Sequence, residues 1–217
     1  MSLGADFLHF VDRVHAQHDY ETDFWRLAAS LNIPVTPGPY NSTVSLPRTV
    51  ITLKEGIYHS DRTFVKMHEI SHALLRDSGI EQQLWQDADC VEQFRAWVEA
   101  YCNFGATQYQ MPNPLLREVL ETHGYSPEAI LALSELAGVD LFDAMTRVTH
   151  GFLDAEATRT SILTQGSFLR KAVTTNRWFP HQEGDRIPEI ALTVPEARLL
   201  KLPAVYGRGR VLGFFTE

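Results

Sequence analysis

The sequence predicts an α+β fold, mainly helical with a small sheet over its first two-thirds and β-rich over its last third. Three observations carry this. Apolar residues recur at helical spacing through about residue 150. β-Branched and aromatic runs then take over at Thr160–Leu163, Phe168–Val173 and Arg210–Phe215. The two patterns follow one another along the chain, which argues for α+β and against alternating βαβ units.

The elements follow in order. Asp6–Ala16 and Thr22–Leu31 read as helices, the first with Phe7, Phe10, Val11 and Val14 at helical spacing. Pro34, Pro37, Gly38 and Pro39 stop that run and open a loop. Thr49–Leu53 is short and β-branched, hence a strand, and Lys54–Gly56 turns it around. Ser60 or Asp61 offers an N-cap to a helix reaching about Asp77, with Gly79 as its stop. The polar stretch Ser78–Asp87 leads to a long helix over about Asp89–Gln108, broken at Met111–Pro114. Helices are expected at Pro114–His123, at Pro127–Ala137 capped by Ser126, and at Asp140–Thr149 beyond Gly138. Pro180–Pro188 separates the later strands. The expected domains are 1–151 and a small β-rich extension, 152–217.

Composition narrows the function. The 217 residues are 44% hydrophobic and 21% charged, which suits a packed core and excludes a disordered chain. Net charge is −8, with 10 Lys+Arg and 20 Asp+Glu in residues 1–151 and 9 and 7 in the remainder. The acidic part disfavours nucleic acid and attracts a basic partner. No apolar run reaches the ~18–20 residues of a membrane span, and the first twenty residues lack a secretory pattern. A cytoplasmic protein without membrane contact is expected. Cys90 and Cys102, on one helix, lie about 18 Å apart along its axis. Bridging needs about 7 Å or less, so both are expected as free thiols.

Residues His68-Glu69-Ile70-Ser71-His72 carry the chemistry. On a helix, positions i and i+4 share a face, so both imidazoles can bind one metal ion, and the carboxylate beside the first reaches a metal-activated water. Composition-matched shuffling yields only about 0.025 such matches by chance, for a motif that is a hypothesis by itself. Apolar neighbours Phe64, Val65, Met67, Ile70, Leu74 and Leu75 bury this helix, so its polar groups need partners. A hydrolytic zinc site takes three protein ligands. The long helix offers Glu92 and Glu99 for the third. Glu92 sits among Asp87, Asp89 and Arg95, a solvated face, whereas Glu99 has small neighbours, Ala96, Cys102, Asn103 and Ala106. Glu99 is the better candidate, with Cys90 and Cys102 as alternatives for a structural site. Zn2+ is the expected ion, and other first-row divalent ions such as Mn2+ suit the same donors.

Together, His68–Leu75, the Glu99-x-x-x-Asn103-x-x-Ala106 stretch and Met111-Pro112 resemble the ImmA/IrrE metallo-endopeptidases over about residues 30–151. The resemblance implies a zincin-like metallopeptidase domain in which His68, His72 and Glu99 bind zinc and Glu69 is the general base. It implies site-specific cleavage of a helix-turn-helix repressor in a stress-response or mobile-element pair. Substrate in such enzymes adds as a strand at a sheet edge, which points to Thr49, Ile51 and Leu53. Tyr58, Tyr101 and His181 are the candidate oxyanion stabilisers.

Two other classes compete. The helix pair at about 126–151 has helix-turn-helix form, but its second helix opens with Asp140 and Asp143 and has Arg147 as its one Lys or Arg, which speaks against direct DNA binding. Arg170, Lys171, Arg177, Arg208 and Arg210, interleaved with Phe168, Trp178, Phe179 and Tyr206, form an alternative nucleic-acid surface. A metal-binding regulator or scaffold without catalysis is the remaining alternative. Glu69 argues against it, since a structural site needs no base.

Overall fold

A computed structural model describes residues 3–45, 47–152, 157–176, 178–187 and 189–216. Arg177 and Pro188 therefore lie outside the described residues. The fold is α+β, with about half the residues helical and two small sheets. It divides into two compact units, Met1–Pro112 and Asn113–Glu217.

The first unit begins with α1 (Leu3–Gln17) and α2 (Phe24–Ser30), the latter capped by the Asp23 carboxylate, which accepts from the Arg26 amide at 2.9 Å. A three-stranded sheet follows: β1 (Val35–Gly38), β2 (Ser42–Val44) and β3 (Val50–Lys54), in spatial order β1-β3-β2. β1 runs parallel to β3 and β2 antiparallel to it. Where a loop is expected at Pro34–Pro39, the chain forms β1, and Pro37 is tolerated because β1 is an edge strand. The expected turn at Lys54–Gly56 is the start of a single-turn helix, α3 (Glu55–Tyr58).

The helix bearing the motif is α4 (Thr63–Asp77), followed by α5 (Ile80–Asp87) and α6 (Val91–Gln110). α5 forms in the stretch the sequence reading left as polar connection: Ile80 and Leu84 bury one face, while Gly79 at φ +77° turns the chain out of α4. α4 packs on α6 at close range. A Cβ on Gly105 would stand 2.7 Å from Ser71 Oγ and 3.2 Å from the Phe7 ring, so only glycine permits this approach. Met67, Ile70, Ala73 and Leu75 of α4 and Cys102 and Ala106 of α6 are all fully buried there.

The second unit comprises α7 (Asn113–His123), α8 (Pro127–Ala137), α9 (Leu141–His150) and a four-stranded antiparallel sheet. Its strands are β4 (Arg159–Gln165), β5 (Phe168–Thr175), β6 (Arg198–Lys201) and β7 (Arg210–Thr216), in spatial order β5-β4-β7-β6, with the short α10 (Ile190–Thr193) between β5 and β6. Alternation along β4 and β7 puts Ser161 and Phe214 on the helix side, against Thr149 and Tyr125. Ile162 and Phe215 face the other way, where Ile187 and Val194 cover them. Helices α7–α9 group with these strands, and the compact units part at 112/113.

Candidate metal centre

The spacing of α4 turns His68 and His72 to one face, and their Nε2 atoms lie 3.0 Å apart. Glu99, on the facing side of α6, places Oε2 3.3 Å from His68 Nε2 and Oε1 3.6 Å from His72 Nε2. Three donors bound to zinc at ~2.0–2.2 Å in a tetrahedron stand about 3.3 Å from one another. These separations bracket that value, so the donor set fits a small divalent ion. Among the described residues, this is the group of three His, Cys, Asp or Glu whose ligand atoms converge within 4.8 Å.

The electrostatics suit the same role. Burial, reinforced by the neighbouring His68 ring, pulls the His72 pKa down to about 4 against the opposing pull of Glu99. The ring is neutral at pH 7, with a lone pair to give. Glu99 is half exposed, its side chain 59% open, so it can approach an ion from the solvent side.

Glu69 stands beside this cluster, next to His68 on α4. It is only 5% exposed. Burial pushes its pKa up to about 7, the Thr43 hydroxyl opposing and Glu99 adding to the rise. Thr43 Oγ1, on β2, lies 2.9 Å from both the Glu69 main-chain carbonyl and its Oε2 and donates to them. One turn beyond His72, Arg76 donates to Ser45 Oγ at 2.6 Å and to Glu81 at 3.0 Å, tying the end of β2 to α4. Neither Thr43 nor Ser45 belongs to a sequence pattern. The contact to Glu69 spans 26 residues, and a lone threonine in a three-residue strand signals nothing in advance.

The other expected site residues of the first unit are placed by their own elements. β3 is the middle strand: β1 and β2 occupy both of its edges, and Ile51 and Leu53 are fully buried. Thr49 precedes the strand, its hydroxyl directed to Ser45. A substrate strand cannot pair with a strand whose two edges are taken, so the edge role expected of Thr49, Ile51 and Leu53 is corrected; the open edge beside α4 belongs to β2. Tyr101 follows Glu99 by two residues, about 200° around α6, and its ring packs on Phe7 and Gly4 of α1. Tyr58 closes α3 edge-on to Trp25, at 4.9 Å, and its carbonyl accepts from Lys66, which leaves α4 on the side away from His68. His181 belongs to the second unit, with Nδ1 4.0 Å from Asp185. The alternative cysteine ligands are also placed: Cys90 is exposed at the start of α6, and Cys102 is buried, its thiol pKa pushed far up by burial and nearby carboxylates. Both are free.

The chain is similar to a metalloprotease. Over 102 residues it is 31% identical to the radiation response metalloprotease IrrE of Deinococcus radiodurans. That match covers 46% of this chain and 31% of the relative, so the chain matches about a third of that protein's length. The relationship is distant. No protein-family model matches the chain. Among solved structures, a transcriptional regulator of Mycobacterium tuberculosis shares the fold, with a TM-score of 0.59 over 96% of this chain and 75% of that one, at 12% identity.

In the second unit, the arginine of the helix pair is drawn into the fold. Arg147 is 7% exposed and donates to the Gly151 carbonyl and to Asn113. The aromatics interleaved with basic residues divide as well: Phe168 and Trp178 are exposed, Phe179 packs on the Ile187–Val194 core, and Tyr206 donates to Glu135. Among the described residues no helix is long and apolar enough to cross a membrane.

Proposed function

We propose that this chain is a metal-dependent endopeptidase of the ImmA/IrrE type, acting on a protein substrate. The observation that carries the reading is the convergence of His68, His72 and Glu99 with a buried carboxylate, Glu69, at the first histidine's side. His68 Nε2, His72 Nε2 and a Glu99 oxygen would hold the ion, and Zn2+ suits this donor set best. When bound, zinc would supply Lewis acidity for the hydrolysis of a peptide bond. Glu69 takes the proton from the attacking water on a carboxylate oxygen and returns it to the departing amine nitrogen. Burial keeps this carboxylate's proton affinity close to neutral, which suits a group that must both accept and return a proton.

An extended substrate segment pairs with the open edge of β2, beside α4, through main-chain hydrogen bonds. The first unit carries 8 Lys+Arg against 14 Asp+Glu, a net −6, which favours a basic substrate. A helix-turn-helix repressor has that charge, and the likeness to a radiation-response metalloprotease supports a regulatory pair of this kind.

The test is co-expression with the repressor encoded nearest the gene, using wild type and Glu69→Gln. Cleavage with wild type alone is the expected result. An intact repressor with both, while zinc is bound, gives the case to a non-catalytic metal-binding regulator.

A further inference from the structure

Thr43 stands out because a single hydroxyl reaches both the backbone and the side chain of Glu69 at 2.9 Å. A carboxylate buried to 5% exposure needs a fixed donor, or it turns between rotamers with no water to compensate. The hydroxyl is itself fixed. β2 is held in register by β3, Thr43 opposite Ile51, and its end is tied to α4 by the Ser45–Arg76 hydrogen bond. In this pleat Thr43 turns toward α4, while Val44 is 53% exposed on the opposite face.

We infer that Thr43 is a positioning residue that aims the Glu69 carboxylate, coupling the base to the strand on which substrate is laid; this rests on the peptidase reading above. The hydroxyl serves both proton states of its partner. Facing a carboxylate, it donates to Oε2. Facing a protonated carboxyl, it accepts at Oγ1 and donates to the Glu69 carbonyl. The contact therefore persists while the proton passes from water to the departing group. Alanine scanning for ligands or for the base would miss this residue, because it touches neither metal nor substrate.

The test uses the zinc-loaded full chain and 4-nitrophenyl acetate, an ester with no peptide backbone to pair with β2, so that strand binding drops out. Four proteins are compared: wild type, Thr43→Val, Thr43→Ser and Glu69→Gln. Zinc affinity is measured in parallel by competition with a chromogenic chelator. Thr43→Val should cut the zinc-dependent rate about tenfold, a part of the ~10²–10⁴-fold that general-base catalysis supplies, with zinc affinity held within threefold. Thr43→Ser should restore the rate to within twofold of wild type. The inference is overturned if Thr43→Val keeps the wild-type rate, if Thr43→Ser is as slow as Thr43→Val, or if Thr43→Val weakens zinc binding more than tenfold, which would make the threonine a structural prop. Should Glu69→Gln retain the wild-type rate, the general-base reading falls, and the role of Thr43 falls with it. A slow Glu69→Gln beside a fast Thr43→Val removes the inference alone.

Discussion

Two helix pairs in this chain bury polar groups, and they differ in one cluster. In α8–α9 the buried Ser126, Ser134, Arg147 and Thr149 serve the backbone or a neighbour. Ser126 and Asp140 cap the two helices, Ser134 donates to the Val139 carbonyl, Arg147 donates to Gly151 and Asn113, and Thr149 meets Ser161. In α4–α6 Lys66, Ser71 and Gln108 serve the backbone in the same way, but three further polar groups face each other instead. His68, His72 and Glu99 bring acceptor atoms to within 3.0–3.6 Å, and His68 Nδ1 is buried with no hydrogen-bond partner. Burial of polar side chains is therefore no sign of function; what marks a site is convergence of groups that do not satisfy one another.

The strongest way to break this comparison is to remove one buried polar group from each pair. His72→Ala should leave the purified chain without stoichiometric zinc after dialysis, as measured by metal analysis. Arg147→Ala should keep its zinc but lose about 1.5–3 kcal/mol of stability, because the Gly151 carbonyl and Asn113 lose a charged donor. If Arg147→Ala also abolished zinc binding, the distinction between the pairs would fail.

A smaller effect sharpens the account of why α4 and α6 can meet. Gly105→Ala forces a Cβ to within 2.7 Å of Ser71 Oγ and 3.2 Å of Phe7. Such overpacking costs about 1–3 kcal/mol, opposed by up to ~1 kcal/mol of helix propensity. The melting temperature should fall, and zinc affinity should fall with it, since the helix carrying Glu99 is displaced from the histidines. An unchanged affinity would show that the two helices need not approach this closely.

The smallest effect belongs to the other pair and appears through pH. Burial, with Asp140 nearby, raises the Asp143 pKa from 3.8 to about 6 in the folded state, against the pull of Lys171. A carboxyl whose folded pKa is raised holds its proton longer when folded, so its ionisation removes stability as pH climbs from about 3.8 to 6. Above pH 6 that penalty is complete. Asp143→Asn should therefore stabilise the chain at pH 7 by roughly 1 kcal/mol, a value discounted for partial exposure. At pH 3.5 the gain should vanish. Thermal melts of both proteins across this range check the sign.

How much could be foreseen follows the same division between local and distant causes. The cap at Ser126 and the turn at Gly138, φ +64°, are local chemistry and were legible, whereas Asp140, expected as the first helical residue, caps α9. The spacing of His68 and His72 on one helix is also local. Glu99 was selected because the small residues around it permit a close helix contact, and that contact is present. The sheet of the first unit was legible only at β3, whose Val50–Leu53 are β-branched or apolar. Its neighbours β1 and β2 are four and three residues long, lie among prolines, and take their strand form from pairing with β3. Missing them put the substrate edge on the wrong strand. Thr43 was invisible for a related reason, since its contact to Glu69 joins segments 26 residues apart.

The central claim is that the α4–α6 polar groups converge in order to hold one metal ion, and anomalous diffraction tests it most directly. Crystals of the zinc-soaked chain, with data collected at the zinc absorption edge, should show a peak about 2.0–2.2 Å from His68 Nε2, His72 Nε2 and a Glu99 carboxylate oxygen. An anomalous map with no peak between the two histidines, or with zinc held by a set that excludes Glu99, would contradict it.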